Sequence, residues 1–166
     1  MAKLSALTVA AQNPQKVLGE AYLKFELTPD TPAVVSMKSI QEVLALPAQR
    51  LSAMPKMPAC ILGLLNRRSH VLWAVDLARL LGVGRLDGRA RQYDLILMRS
   101  DAQTIALAVH RVEGMIWLPP DEIQPPPSHA ATQLIGYLRG CVLQEQQLFL
   151  ALDTEAILQS SVLHQH

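Results

Sequence analysis

The sequence predicts a mainly β protein built from two related halves around one shared core, with helices confined to short stretches. Three observations carry that expectation. The chain repeats itself: "GLLNRRSHVLWAVDLARLL" lies without a gap over "GCVLQEQQLFLALDTEAIL" at an offset of 77, so that Gly63 meets Gly140, Ala74 meets Ala151, Asp76 meets Asp153 and Leu81 meets Leu158. Upstream, "IQEVLALPAQRL" lies over "VEGMIWLPPDEI" at an offset of 72, matching Leu46-Pro47 to Leu118-Pro119, and the five extra residues fall in the proline-rich "QPPPSH". Two blocks in one order, with the insertion confined to a loop, point to duplication. Next, apolar runs such as "VLWAV" and "LFLAL" do not alternate with polar residues, the mark of strands covered on both faces. Finally, a half of about 75 residues buries too little surface to be stable alone, so the halves should share an interior.

Each element follows from local chemistry. An extended apolar segment from Ile40 ends at Leu46-Pro47, because proline lacks the N–H a strand ladder needs and biases its predecessor away from helix. The spacing then predicts a hairpin of Cys60 to Leu65 and Val71 to Val75, joined by the five-residue polar loop Asn66-Arg67-Arg68-Ser69-His70. Asp76 is placed to cap a helix over "LARLL", which Gly82 stops. "GVGRLDGRARQ", with three glycines and three arginines, reads as an exposed connection and lacks the spacing and context of a phosphate-binding loop. "YDLILMR" and "TIALAVHRV" pair as a hairpin around Ser100 to Gln103. The second half repeats the pattern, with strands Leu138 to Leu143 and Leu148 to Leu152 and Asp153 capping "TEAILQSSVL". Residues 1–18 are expected to be a flexible N-terminus and 161–166 a polar tail. Between them, 19–160 form one domain of two intertwined β subdomains, about 35–85 and 90–155 in the main.

Composition narrows the chemistry. Apolar residues make up 50% of the 166, and 15 basic against 14 acidic residues leave a charge of +1, so no global field draws in nucleic acid or an anionic membrane. No apolar run reaches the roughly 18 residues of a membrane span, and "MAKLSALTVAAQNPQK" lacks a signal-peptide core, so the expected location is cytoplasmic. Cys60 and Cys141 are far apart without CxxC spacing and read as buried, reduced thiols. The histidines His70, His110, His129, His164 and His166 show no metal-ligand spacing on a firm element, and no metal or cofactor is expected. Two alternatives stay open: a small hydrolase using Cys60 with His70 or His110, and a weak nucleic-acid binder using Arg67, Arg68, Arg79, Arg85, Arg89 and Arg91. The first lacks an orienting context for an activated thiolate, and the second lacks stacking residues, since aromatics are 4% of the chain. Protein binding is favoured: two arginines on a rigid hairpin suit charge-assisted bonds to a partner's carboxylate, unless Glu42 satisfies one of them internally.

The order of "SIQEV", "GLLNRRSHVLWAVDL", "ALAVHRVEGMIWLPPDEIQPPP" and "LRGCVLQEQQLFLALDTEAIL" resembles the CheW-like adaptors of bacterial chemosensory arrays over about residues 20 to 160. "LTPDTPAVV" and "GLLNRRS" are most similar to the cyanobacterial branch attached to phototaxis and type IV pilus motility. The resemblance implies two small five-stranded, SH3-like β-barrel subdomains sharing one core. It also implies a non-enzymatic adaptor, cytoplasmic at membrane-associated receptor arrays. Such an adaptor couples a CheA-like histidine kinase, through its regulatory domain, to the cytoplasmic tip of methyl-accepting chemoreceptors or photoreceptors, with no nucleic acid and no direct membrane insertion. The family's G-x-x-N-L-R-G hairpin motif falls on Gly63, Asn66, Arg67, Arg68 and Ser69, which makes Arg68 the functional arginine. The family's acidic residue falls on Glu42, with apolar Ile40 and Val43 beside it at the expected receptor groove, while the kinase is expected on a separate surface in the second half. Four departures stand out: Arg67 replaces an apolar residue, Ser69 a glycine that would favour a positive-φ turn, Trp73 a proline and His110 an aspartate.

Overall fold

The computed structural model describes residues 19–100 and 103–164, and its strands form two five-stranded sheets. In chain order the strands are β1 (Glu20–Thr28), β2 (Thr31–Ser36), β3 (Ile40–Pro47), β4 (Ile61–Arg67), β5 (His70–Asp76), β6 (Gln92–Arg99), β7 (Thr104–Val109), β8 (Arg111–Leu118), β9 (Leu138–Gln144) and β10 (Gln147–Leu152). The short helices are α1 (Leu77–Leu81), α2 (Thr132–Ile135) and α3 (Thr154–Leu158). One sheet runs β3-β6-β7-β5-β4 and the other β8-β1-β2-β10-β9. The orders correspond strand for strand, with β3 matching β8, β4 matching β9 and β5 matching β10 as the repeat requires.

Each sheet curls until its edges meet. Ser52, beyond β3, exchanges both backbone hydrogen bonds with Leu64 of β4 at 2.8 and 2.9 Å, and Gln124, beyond β8, does the same with Cys141 of β9 at 2.8 Å each. The closure depends on Gly63 and Gly140. Both have positive φ (151° and 158°), and an added Cβ would sit 2.5 Å from the Ser52 carbonyl oxygen and 2.1 Å from that of Gln124. A side chain at either position would displace the strand that closes the barrel.

The leading hairpin of each chain half is exchanged. β1 and β2 precede β3 but hydrogen-bond to β8 and β10 of the second half, whereas β6 and β7 leave the second half and insert between β3 and β5. The sequence assigned β6 and β7 to a second unit of 90–155, and their place in the first sheet corrects that division: a neighbour's free edge, not chain proximity, offers the backbone partners. The β1–β2 hairpin, around Pro29-Asp30, was not assigned as strands.

Burial follows from the exchange. Strands covered on both faces send alternate side chains into different cores. In β6, Tyr93, Leu95 and Leu97 fill the first barrel, while Ile96 and Met98 join Phe25, Leu27, Leu107 and Ile157 in the seam between barrels. Tyr22, Val142 and Phe149 fill the second barrel. Cys60 and Cys141 are free and buried, and burial pushes both thiols up from their usual value.

Helix ends obey the expected chemistry. The Asp76 carboxylate accepts from Arg79 N at 3.2 Å and Gly82 ends α1 in the left-handed conformation, while Asp153 accepts from Ala156 N at 3.2 Å. α3 stops at Leu158, short of the expected span, and the chain forms a 3-10 turn at Ser161–His164. That turn corrects the polar tail expected from 161, because Leu163 is buried in the seam. The hairpin loops are tighter than expected: two-residue turns replace the five-residue loop after Leu65, with positive φ at Arg68 (52°) and Ser69 (68°) and again at Glu145 (49°) and Gln146 (66°). Such type I′ geometry matches strand twist, and Ser69 adopts it without glycine. The expected flexible N-terminus, 1–18, lies outside the described residues. Among the described residues no helix is long and apolar enough to cross a membrane.

Gly63→Ala and Gly140→Ala are each expected to destabilise the fold by roughly 1–3 kcal/mol or more, read as a lowered chemical-denaturation midpoint. A neutral effect at both positions would contradict the closing contacts described above.

Candidate partner-binding groove

A bulge in β3 aims the charged site. Ile40 pairs with Met98 but Glu42 pairs with Leu97, leaving Gln41 as the extra residue. The parity change sends Ile40 toward the seam with Met98 and Glu42 toward the interior of the first barrel with Leu97. On the opposite edge strand, Arg67 follows Leu65 by two positions and shares its inward face at the end of β4. Glu42 and Arg67 therefore meet at the barrel mouth.

Arg67 donates Nε to Glu42 Oε2 at 3.3 Å and its Nη2 to Oε1, a two-pronged grip. Arg68 Nη2 reaches the same Oε1 at 3.5 Å, while its side chain remains 74% exposed against 21% for Glu42. The Arg67 hydrogen bond, with the nearby charges of Arg67 and Arg68, holds the Glu42 carboxyl below the usual range against an opposing desolvation, and Glu42 in turn raises Arg67. The second barrel has no counterpart, since the repeat places Gly114 and Gln144 at these positions.

The ion pair borders a cleft of about 570 Å³ lined also by Leu72, Trp73 and Thr104. This cleft shares Gln41, Arg99, Ser100 and Gln103 with an adjoining hollow of about 750 Å³ that includes Ile40, Glu155 and Leu158. One groove thus runs from the mouth of the first barrel across the seam to α3 beside the second.

The sequence-derived residues separate by location. Glu42, Arg67 and Arg68 come together, and Ile40 lines the adjoining hollow. Val43, 40% exposed, lies on the other side of β3 and lines neither hollow. Gly63 closes the barrel, and Asn66 is exposed opposite Val71. The extra charge at Arg67 is directed toward Glu42. Arg99 and Thr104 were not expected at the site, although their pairing in the β6–β7 hairpin could be read from the sequence.

The alternatives lose their geometry. The Cys60 carbonyl accepts from Asp76 N, whereas His70 pairs with Arg67 at the opposite end of β5, about 20 Å away along the strand. A buried thiol with a raised pKa is also the wrong state for a nucleophile. His110 Nε2 faces a carboxylate, Glu26 Oε2, at 3.8 Å. The arginines divide, with Arg67 and Arg68 at the mouth and Arg79, Arg85 and Arg89 around a separate hollow.

Fold and groove together define a binding scaffold of two joined β barrels. The CheW-like domain model matches residues 21–162, and the chain belongs to that family. A probable chemotaxis protein CheW from Rhizobium etli is 29% identical over 124 residues, 74% of this chain and 77% of the relative. The chemotaxis protein CheW of Rhizobium meliloti is 26% identical over 107 residues, 64% of this chain and 68% of that protein. The crystal structure of the scaffolding protein TtCheW from Thermoanaerobacter tengcongensis shares the fold, with a TM-score of 0.70 at 19% identity over 81% of this chain and 88% of that one. Proteins of this family are chemotaxis scaffolds and not enzymes.

Because the Glu42 pKa is depressed, its pairing stabilises the folded chain fully above the ordinary carboxylate value and loses that contribution as the pH falls through the depressed one. Glu42→Gln should lower the chemical-denaturation midpoint near neutrality and lose its effect in acid. An effect that grows in acid would have the wrong sign for this pairing.

Proposed function

We propose that the chain is an adaptor that couples a CheA-like histidine kinase to the cytoplasmic tip of methyl-accepting chemoreceptors or photoreceptors, at membrane-associated arrays in phototaxis or pilus-motility control. Family membership supports the adaptor class, and "LTPDTPAVV" and "GLLNRRS" support the phototaxis and pilus context. The observation that carries the site is the exposed Arg68 guanidinium held beside a groove whose internal acid, Glu42, is already gripped by Arg67. An amphipathic receptor helix lies along the groove, its apolar stripe toward Ile40, Leu158 and Trp73 and an acidic side chain toward Arg68. Val43 and Asn66 lie outside this contact, and Gly63 supports it by fixing the closing strand.

The kinase contacts the second barrel in this proposal. Leu143 and Leu148, directly paired across β9 and β10, are 68% and 48% exposed, an apolar pair on the hairpin distant in sequence from the charged mouth. Each contact can be weak alone, because an array raises the effective concentration of the next.

Arg68→Ala is expected to leave the unfolding midpoint unchanged and weaken binding of a receptor cytoplasmic fragment about tenfold, measured by calorimetry. Leu143→Gln with Leu148→Gln should weaken the kinase regulatory domain instead and spare the receptor fragment. If Arg68→Ala leaves both affinities unchanged, the arginine has no part in coupling.

A further inference from the structure

A second charged surface lies at the other end of the first barrel, where the turn between β1 and β2, helix α1 and the connection after it enclose a hollow of about 660 Å³. Its geometry is built by carboxylates that bind the backbone of their own loop, Asp76 buried and Asp87 exposed. Asp76 accepts from Arg79 N with one oxygen and from Leu86 N, at 2.9 Å, with the other, so one buried side chain both caps α1 and ties down the following loop. Asp87 accepts from Arg89 N at 2.9 Å and fixes the next turn. Gly84 lets the loop approach β1 so closely that a Cβ would stand 2.9 Å from the Thr28 methyl.

The outer face of this loop is cationic. Arg79, Arg85 and Arg89 are all exposed at the hollow, and among the described residues none makes a side-chain ion pair, in contrast to Arg67, Arg68 and Arg111. Beneath them Pro29 and the half-buried Leu62 present apolar surface, backed by the buried Leu27 and Leu86. Three guanidinium groups over an apolar floor complement a ligand that carries carboxylates and aliphatic side chains together. Nucleic acid fits less well: Tyr93 in the hollow is only 9% exposed and cannot offer a stacking face, and the imidazole of His110 is turned to Glu26.

This surface is separate from the groove. Leu62 lines the hollow and Arg67 the groove, five positions apart on β4, about 17 Å along the strand. β5 and β6 run between the same two ends, from Trp73 to Asp76 and from Leu97 to Tyr93. Occupation of one end leaves the other open.

We infer that the hollow bounded by Arg79, Arg85 and Arg89 is a docking surface for an acidic, leucine-bearing segment of a protein partner, distinct from the groove at Glu42, Arg67 and Arg68. It gives the scaffold a contact at each end of its first barrel and does not depend on which partner occupies the groove.

The test uses the full chain and a short dye-labelled peptide alternating glutamate and leucine, followed by fluorescence anisotropy, with amide shifts mapped by NMR. The expected result is salt-sensitive binding that shifts amides of 82–91 and weakens about tenfold or more in R79Q/R85Q/R89Q, a variant whose unfolding midpoint matches the parent. Arg68→Ala should leave the peptide-induced shifts at 82–91 as they are in the parent, whatever it does to shifts in the groove. The inference is overturned if the triple variant binds equally well, if the shifts map to the groove, or if no binding is detected. Tighter binding of a single-stranded oligonucleotide through the same arginines would overturn it in favour of a nucleic-acid surface. Should the triple variant lose its fold, the single variants R85Q and R89Q and the shift map decide between these outcomes.

Discussion

Backbone hydrogen-bonding demand at strand edges organises this protein. β3, β4 and β5 cannot close around a core by themselves, nor can β8, β9 and β10, and each set is completed by a hairpin from the opposite half of the chain. An unpaired edge buried against a neighbour would cost the desolvation of every N–H and C=O along it. Exchange satisfies both edges at once, and it leaves β2, β6 and β7 largely apolar and buried on both faces. The seam between barrels is the direct result: Phe25 and Leu27 from one leading hairpin meet Ile96 and Leu107 from the other. A chain half taken alone would expose that seam and lose two strands of its sheet.

Within this frame, duplication preserved the structural devices and released the surface. Gly63 and Gly140 admit the same closing strand, Asp76 and Asp153 cap the same helix, and Asp76 N and Asp153 N donate to the equivalent carbonyls of Cys60 and Tyr137. The mouths diverged instead. Glu42 and Arg67 bridge the two edge strands of the first barrel, where the second has Gly114 and Gln144. Gln144 turns to Glu122 at 3.0 Å, a partner beyond β8. One barrel thus presents a cationic mouth, and the other an apolar hairpin bearing Leu143 and Leu148.

What the sequence revealed follows from the range of the interactions involved. Caps at Asp76 and Asp153, the stop at Gly82 and the hairpin between Arg99 and Thr104 are settled within a few residues, and they were legible. The repeat exposed the paired barrels because identical glycines and aspartates recur at a fixed offset. Exchange was hidden, since β6 inserts beside β3 through partners that no local pattern encodes. The β1–β2 hairpin was missed although "TPD" marks its turn and Leu23-Lys24-Phe25-Glu26-Leu27 alternates cleanly, its three apolar side chains all entering the seam. At the site, Glu42 and the arginine pair were recognisable, but which arginine takes the acid depends on strand parity. Arg67 shares the inward face of Leu65, and the turn begins two residues later than a solvated five-residue loop would allow.

That turn also explains how an exposed arginine can have a defined direction. Left-handed φ at a residue with a Cβ costs about 1 kcal/mol or more, and both Arg68 and Ser69 bear it. The geometry persists because the strands on either side fix it: Arg67 pairs with His70 in register, and Arg67 is itself anchored to Glu42 across the barrel mouth. Glu145 and Gln146 hold the same conformation in the second barrel without such an ion pair, so strand register alone suffices for the backbone. The contribution of Glu42 is therefore to the side chains. By taking Arg67 in a two-pronged contact and reaching Arg68 with only one oxygen at 3.5 Å, it leaves the second guanidinium mostly hydrated yet confined to the groove side of the hairpin. A partner carboxylate arriving there meets a cation whose position is already restricted, so less side-chain entropy is lost on contact than at a freely moving arginine.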